Sequence, residues 1–80
     1  MLEHDKVFAA IRRNVLTVVP ELDPGDIVPE RTLAELGCDS IDRADIVSMT
    51  MTDLAVTVPV HEFRQGQPIS SLVEMLCRHS

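Results

Sequence analysis

The 80-residue sequence contains neither tryptophan nor tyrosine, and its two aromatic residues are Phe8 and Phe63. Hydrophobic residues nevertheless make up 45% of the chain, so we expect a core of aliphatic side chains. No apolar run approaches the ~18 residues of a membrane-spanning helix, and the opening "MLEHDKVFAA" lacks the basic-then-apolar order of a secretory leader. The length predicts a single domain over residues 1–80, and these absences predict a protein located in the cytoplasm with no membrane partner.

Positive charge is also scarce. Seven Lys and Arg residues against 13 Asp and Glu residues give a formal net charge of −6. Such a chain repels phosphate backbones and anionic headgroups, which argues against nucleic acid as a partner and against docking on a membrane surface. The net charge, together with polar helix faces, favours a monomer.

Residues that could bind metals or form disulfides are few. Cys38 and Cys77 are interpreted as reduced thiols, as expected in a reducing compartment. His4, His61 and His79 lie far apart, and no Cys or His pair has ligand spacing, which argues against a structural zinc site. We expect His79 to belong to a frayed tail.

Apolar residues recur at spacings of three and four, a pattern that predicts helices. The first runs from about residue 3 to residue 18, the second from Asp39 or Ser40 to near Ala55, and the last covers about ten residues with Pro68 at its first position. The apolar positions are Val7, Phe8, Ile11, Val15, Leu16 and Val19 in the first helix; Ile41, Ala44, Val47, Met51 and Leu54 in the second; and Ile69, Leu72, Val73 and Leu76 in the last.

The connections between these helices have different compositions. "ELDPGD" has the composition of a turn, and "IVPERTLAELG" predicts a long loop, pinned to the core by its apolar residues, with one helical turn around Leu33. "VTVPV" has extended character but no partner strand, so we expect a loop leading into a short turn at Val60 to Phe63. The predicted fold is all-α, a bundle of three to four helices with a long first loop.

Ser40, at the head of the second helix, is the candidate functional residue. A serine there is usually an N-cap, but Asp39 can already supply the cap, which leaves the serine hydroxyl available. An anion attached to this oxygen would be stabilised by the helix dipole and the first-turn amides. Gly37 removes a side chain where an enzyme would approach. The pattern favours a serine that is modified by a partner.

Two other functions use the same residues. Cys38, Ser40 and His61 could supply a nucleophile and a base, but nothing in the sequence brings His61 to Ser40, and little chain is left for an oxyanion hole and a substrate pocket. An acidic interaction module without a prosthetic group would use the same helices. It has no need for an exposed serine at this turn.

The segment "LGCDSIDRADIV" resembles the phosphopantetheine attachment motif of acyl carrier proteins. The resemblance implies that a phosphopantetheinyl transferase attaches 4′-phosphopantetheine to Ser40, with Leu36, Gly37, Asp39 and Ile41 supporting the motif. It also implies an acyl-carrier type of helical bundle that holds acyl groups as thioesters. Such a protein is a substrate of its partners and not an enzyme.

In this family the second helix is the main recognition surface. The positions that match it, in part, are Asp39, Asp42, Arg43, Asp45, Met49 and Asp53. Where common fatty-acid carriers have further carboxylates, this chain has "SMTMT", and Arg43 lies beside the Asp cluster, which argues against a housekeeping fatty-acid role. Charge pairs of this kind set encounter rate and specificity more than affinity.

"DSIDRADIV" resembles the discrete carriers that act in trans in polyketide biosynthesis, in particular those of β-branching cassettes. This implies as partners an acyltransferase, a decarboxylating ketosynthase-like enzyme that makes acetyl from malonyl, and a hydroxymethylglutaryl-synthase-like enzyme. An aminoacyl carrier for nonribosomal peptide synthesis is the alternative.

We further expect the apolar stripe of the second helix, with Val58, Val60 and Phe63, to form a shallow cleft for the acyl chain.

Overall fold

The computed structural model of the protein describes residues 2–64 and 66–79, except for the side chain of Val60. Within these residues there is no strand, and the one isolated bridge joins Thr32 to Pro68. The all-α prediction is confirmed. The helices are α1 (His4–Val18), α2 (Ser40–Leu54) and α3 (Ile69–Arg78), with short 3₁₀ helices at Pro24–Asp26 and Val60–Glu62.

Helix α1 is the centre of the bundle and packs against both α2 and α3. Val7, Ile11 and Val15 are almost completely buried on one face, as their spacing predicts. Asn14 is also buried on this helix, where its amide nitrogen donates to the hydroxyl of Thr50 on α2 at 2.9 Å. A polar contact therefore joins α1 to α2 inside an otherwise aliphatic core.

The apolar stripe predicted for α2 is not the buried face of that helix. Ile41 is 71% exposed and Ala44 is exposed, whereas Ile46 and Thr50 are 1% and 0% exposed. Apolar residues occur on more than one face of α2, so periodicity alone does not identify the face that meets α1. Three of the five stripe residues, Ala44, Val47 and Met51, line a groove beside the core instead.

The long first connection is held in place by its own hydrogen bonds. Its apolar residues Leu33 and Leu36 are buried, as predicted. The predicted turn around Leu33 is stabilised by a reciprocal pair, in which Thr32 N donates to Glu35 Oε1 at 2.9 Å and Glu35 N donates to the Thr32 hydroxyl at 3.0 Å. The Arg31 carbonyl accepts from Ile69 N at 2.9 Å, which ties the loop to the start of α3.

Two predictions about α3 are corrected. Pro68 is the N-cap and not the first helical residue, because its ψ of 159° is extended. His79 is not part of a frayed tail: its Nε2 lies 3.0 Å from Glu62 Oε2, and both side chains are about one-third exposed. This contact ties the end of α3 to the second 3₁₀ helix. None of the described helices has the length and apolar content needed to cross a bilayer.

Candidate functional site

The start of α2 is closed by a capping box formed by two aspartates. Asp39 Oδ1 accepts from the backbone nitrogen of Asp42 at 2.8 Å, and Asp42 Oδ2 accepts from the backbone nitrogen of Asp39 at 3.3 Å. These bonds satisfy two of the first-turn amides that a helix leaves without backbone partners. The prediction that Asp39 supplies the cap is confirmed.

Ser40 is therefore the first residue of α2 and not its cap. Its side chain is exposed, and among the described residues its hydroxyl makes no hydrogen bond. The remaining first-turn amides and the positive end of the helix dipole are close by, so a negative group bonded to this oxygen is stabilised by ~0.3–1 kcal/mol. The hydroxyl is thus both accessible and electrostatically suited to carry an anion.

The turn that precedes Ser40 is fixed by buried residues on either side of a glycine. Leu36 and Cys38 are 5% and 4% exposed and anchor the turn to the core. Gly37 between them has a φ of 90°, a conformation that L side chains rarely adopt. A Cβ at this position would meet no atom within 4 Å, so the glycine is required by backbone conformation and not by lack of space.

A groove with a volume of about 640 Å³ runs from Ser40 along α2. Ala44, Val47 and Met51 form its α2 wall, and Phe63 lines it from the connection to α3. Ser40 and Met51 are eleven residues apart, which corresponds to about 16 Å along the helix. A groove thus lies beside Ser40 at four of the positions predicted for the cleft, and its use by an acyl chain stays a prediction.

Other members of the predicted cleft lie elsewhere. Ile41 and Leu54 do not line the groove, and Val58 is 2% exposed within the core. The side chain of Val60 lies outside the described part of the structure. The groove therefore includes three of the five stripe residues of α2.

Several groove residues were not identified from the sequence. Arg64 and Gln67 line the groove from the segment that joins the second 3₁₀ helix to α3, and Thr32 lines it from the long loop. The one signal in the sequence is that Phe63, which was predicted to line the cleft, directly precedes Arg64. These three residues come close to α2 only because of how the loops pack, which the sequence does not reveal.

The residues predicted for partner recognition fall into separate places. Asp39 and Asp42 lie with Ser40, and Asp45 is exposed one turn further, on the same side of α2 as Ile41. Arg43 and Met49 are half-buried. Three of the predicted recognition residues near Ser40 are thus carboxylates, and they lie beside one exposed apolar side chain, Ile41.

Asp53 is set apart from this cluster. It lies about 20 Å from Ser40 along the helix, and its Oδ2 accepts from the Arg13 guanidinium at 2.7 Å and from Asn14 at 3.1 Å. The hydrogen bond from Arg13, followed by the one from Asn14, lowers the pKa of Asp53. Asp53 therefore stabilises the α1–α2 contact and is not brought together with Ser40.

The site lacks the features of a nucleophilic enzyme. Cys38 is buried, and burial raises the pKa of its thiol, with a further contribution from Asp42. His61 is exposed, and no hydrogen bond joins it to Ser40 among the described residues. In the same part of the chain, no group of three or more His, Cys, Asp or Glu side chains is arranged to hold a metal ion.

Comparisons with known proteins place this geometry in a family. The family model for the phosphopantetheine attachment site matches residues 9–76. The polyketide biosynthesis acyl-carrier protein AcpK of Bacillus subtilis (strain 168) is 37% identical over 75 residues, which cover 94% of this chain and 92% of that protein. No solved structure matches the chain.

Members of this family hold a covalently attached 4′-phosphopantetheine, so an interaction module without a prosthetic group is not supported. The match covers all three helices, apart from the first residues of α1 and the last of α3. The chain therefore belongs to the phosphopantetheine-attachment family and is an acyl carrier protein, a carrier on which enzymes act and not an enzyme itself.

Proposed function

We propose that Ser40 is the residue to which 4′-phosphopantetheine is attached. The observation that carries this proposal is the division of roles at the start of α2: Asp39 and Asp42 cap the helix, while the exposed hydroxyl of Ser40 makes no hydrogen bond within the described residues. The groove beside Ser40 offers apolar surface for a long attached arm. The residues present therefore fit the group.

The attachment reaction is a transfer from coenzyme A. The Ser40 oxygen forms a bond to the phosphorus that bears the pantetheine unit, and the pyrophosphate bond of coenzyme A breaks. Adenosine 3′,5′-bisphosphate leaves, and the hydroxyl proton passes to a base of the transferase. When bound, the group supplies a terminal thiol that carries acyl groups as thioesters. The tether keeps the cargo at an effective concentration of about millimolar near each partner site.

The attachment site is tested by intact mass after incubation with coenzyme A, magnesium and a broad-specificity phosphopantetheinyl transferase. The expected result is a gain of one phosphopantetheine, located on Ser40 by fragmentation. Ser40→Ala is expected to abolish the gain and keep the helical circular-dichroism signal. Ser48→Ala, which removes another exposed serine of α2, is the matched control and is expected to load normally. Loading of Ser40→Ala would refute the assignment.

The proposed role is that of a discrete carrier, a single domain over residues 1–80, acting in trans in polyketide biosynthesis in the cytoplasm as a monomer. Support for the pathway comes from the 37% identity to a carrier whose name assigns it to polyketide biosynthesis. The recognition surface we propose is the α2 start, where Asp39, Asp42 and Asp45 surround the exposed Ile41. An apolar anchor with a charged rim suits partners that must bind and release quickly.

Within that pathway we propose the donor role in β-branching. An acyltransferase loads malonyl, and a decarboxylating ketosynthase-like enzyme converts it to acetyl by loss of carbon dioxide and uptake of one proton. A hydroxymethylglutaryl-synthase-like enzyme then accepts the acetyl group, and the thiol of the arm is regenerated. Support for this role is the "DSIDRADIV" segment of α2, with Arg43 beside the aspartates and few carboxylates further along.

A reconstitution with the enzymes of a β-branching cassette tests this role. The acetyl-loaded protein is supplied together with an acetoacetyl-loaded acceptor carrier, and the acyl groups on both carriers are followed by mass. The expected result is loss of acetyl from this protein and hydroxymethylglutaryl formation on the acceptor. An acetyl-loaded fatty-acid carrier is the comparison, and equal turnover with both donors would contradict a dedicated role.

A further inference from the structure

The groove beside Ser40 differs in charge from the rest of the chain. The sequence has 13 acidic and 7 basic residues. Among the described residues that line the groove, however, none is Asp or Glu, while Arg43 and Arg64 are both present. A strongly acidic protein thus has a groove whose charged side chains are cationic.

The two arginines reach the groove from different elements. Arg43 follows Ser40 by three residues on α2, so the two side chains lie on one helix face with their β-carbons about 5–6 Å apart. Arg64 belongs to the segment before α3, where its backbone nitrogen donates to Gln67 Oε1 at 3.0 Å. Both arginines therefore line one groove, from two different elements, and Ser40 lines the same groove.

Neither arginine has a carboxylate partner in the part of the chain that the structure describes. The ion pairs there are His4–Glu74, Arg13–Asp53 and His79–Glu62. Arg13, by contrast, is engaged at 2.7 Å by Asp53. Arg43 is moreover half-buried. Two cations without protein counterions, beside an apolar surface, are suited to an anion supplied by a ligand.

We propose that Arg43 and Arg64 form a binding site for an anionic oxygen group of the loaded arm. This inference rests on the proposed attachment at Ser40. The anion has two sources: the phosphodiester bonded to the Ser40 oxygen, and the free carboxylate of a dicarboxylic acyl group such as malonyl. Planar guanidinium groups hold either one through paired N–H···O bonds. With the second source, the groove distinguishes cargo with a free carboxylate from neutral cargo.

The test compares apo, holo, acetyl and malonyl forms of the full chain, with complete loading checked by intact mass. The side-chain Nε–H signals of the arginines are followed by NMR in the unmutated protein. A phosphodiester site moves the Arg43 signal between the apo and holo forms. A carboxylate site moves the Arg43 or Arg64 signal in the malonyl form and not in the acetyl form. Signals that stay unchanged in fully loaded protein overturn the inference.

Thioester cleavage by hydroxylamine gives a second readout in Arg43→Gln and Arg64→Gln. A bound carboxylate slows cleavage, so both variants are expected to release malonyl about 2–5-fold faster than the unmutated protein, with acetyl unchanged. If cleavage is accelerated equally for malonyl and acetyl in the variants, the anion bound by the arginines is the phosphodiester. Arg43→Lys is expected to restore part of the protection. Arg12→Gln, which removes an exposed charge on α1 outside the groove, is the matched control.

The two proposals fail in different ways. If Ser40 gains phosphopantetheine but neither the arginine signals nor the cleavage rates respond, the groove inference is wrong and the attachment site stands. If the mass of the folded protein does not change while a known carrier is modified in parallel, the attachment at Ser40 and the groove inference are both refuted.

Discussion

Ile46 and Ile41 have the same side chain on the same helix in opposite environments. Ile46 is 1% exposed within the core, whereas Ile41 is 71% exposed beside Ser40. We therefore expect Ile46→Ala to lower the free energy of unfolding by about 2–5 kcal/mol, from lost burial and the cavity left behind. Ile41→Ala is expected to change it by less than about 0.5 kcal/mol, because an exposed position loses little and alanine favours the helix.

The loss expected for Ile46→Ala is large relative to the unfolding free energy of the whole domain. About 0.05–0.15 kcal/mol per residue gives a total stability of about 4–12 kcal/mol for a chain of this length. With an m-value of about 1 kcal/mol/M, the urea midpoint of Ile46→Ala falls by about 2 M or more. Ile46→Val, at a cost of about 0.5–1.5 kcal/mol, keeps the comparison possible if the alanine variant does not fold.

The assay is urea unfolding followed by far-ultraviolet circular dichroism for the three variants and the unmutated protein. Phosphopantetheine loading of Ile41→Ala is measured in parallel, because an exposed residue next to Ser40, the proposed attachment site, is expected to affect partner contact and not stability. Equal loss of stability at both positions would refute the assignment of the buried face. A larger loss at Ile41 would mean that the predicted stripe, and not Ile46, meets the core.

Three further predictions concern the cap, an ion pair and the thiols. Asp39→Ala is expected to cost about 0.5–2 kcal/mol in urea unfolding, since it removes the N-cap, while Ser40→Ala leaves stability nearly unchanged; equal losses would mean that Ser40 shares the capping role. Asp53 has a lowered pKa, so the native state binds fewer protons there, and its contribution to stability is present above its unfolded pKa and lost as pH falls through the lower folded pKa. Urea midpoints between neutral and acid pH should therefore fall less for Asp53→Asn than for the unmutated protein, and identical slopes would contradict this. Iodoacetamide, followed by mass, should modify half-buried Cys77 before buried Cys38, although burial raises the pKa of both thiols; faster reaction at Cys38 would show that the turn before α2 opens.

The local features of the chain could be predicted because they depend on neighbours in the sequence. Asp39 caps α2 through a backbone amide three residues ahead, and the Leu33 turn closes through bonds of the same short range. Gly37 has the positive φ that a glycine supplies at a turn. Such bonds form within one turn of chain, so the residues that make them can be identified from spacing and type alone.

The errors concern contacts between distant parts of the chain. His79 was expected in a frayed tail, yet it contacts Glu62, seventeen residues earlier. The hydrogen bond of Asp53 with Arg13, forty residues earlier, was likewise not predicted. Neither contact can be predicted from the spacing of residues in the sequence, because each depends on which helix faces meet after packing.

The sequence by itself determined an acidic, aliphatic, helical chain with a serine left available at the head of its second helix. The resemblance of the motif "LGCDSIDRADIV" to the phosphopantetheine attachment motif was enough to indicate the family, which the family model matches over residues 9–76. Only the tertiary structure decided which face of α2 is buried, and that Arg43 and Arg64 meet at one groove. Helix periodicity limits the possible faces, but the choice among them is made by the packing of all the elements against one core.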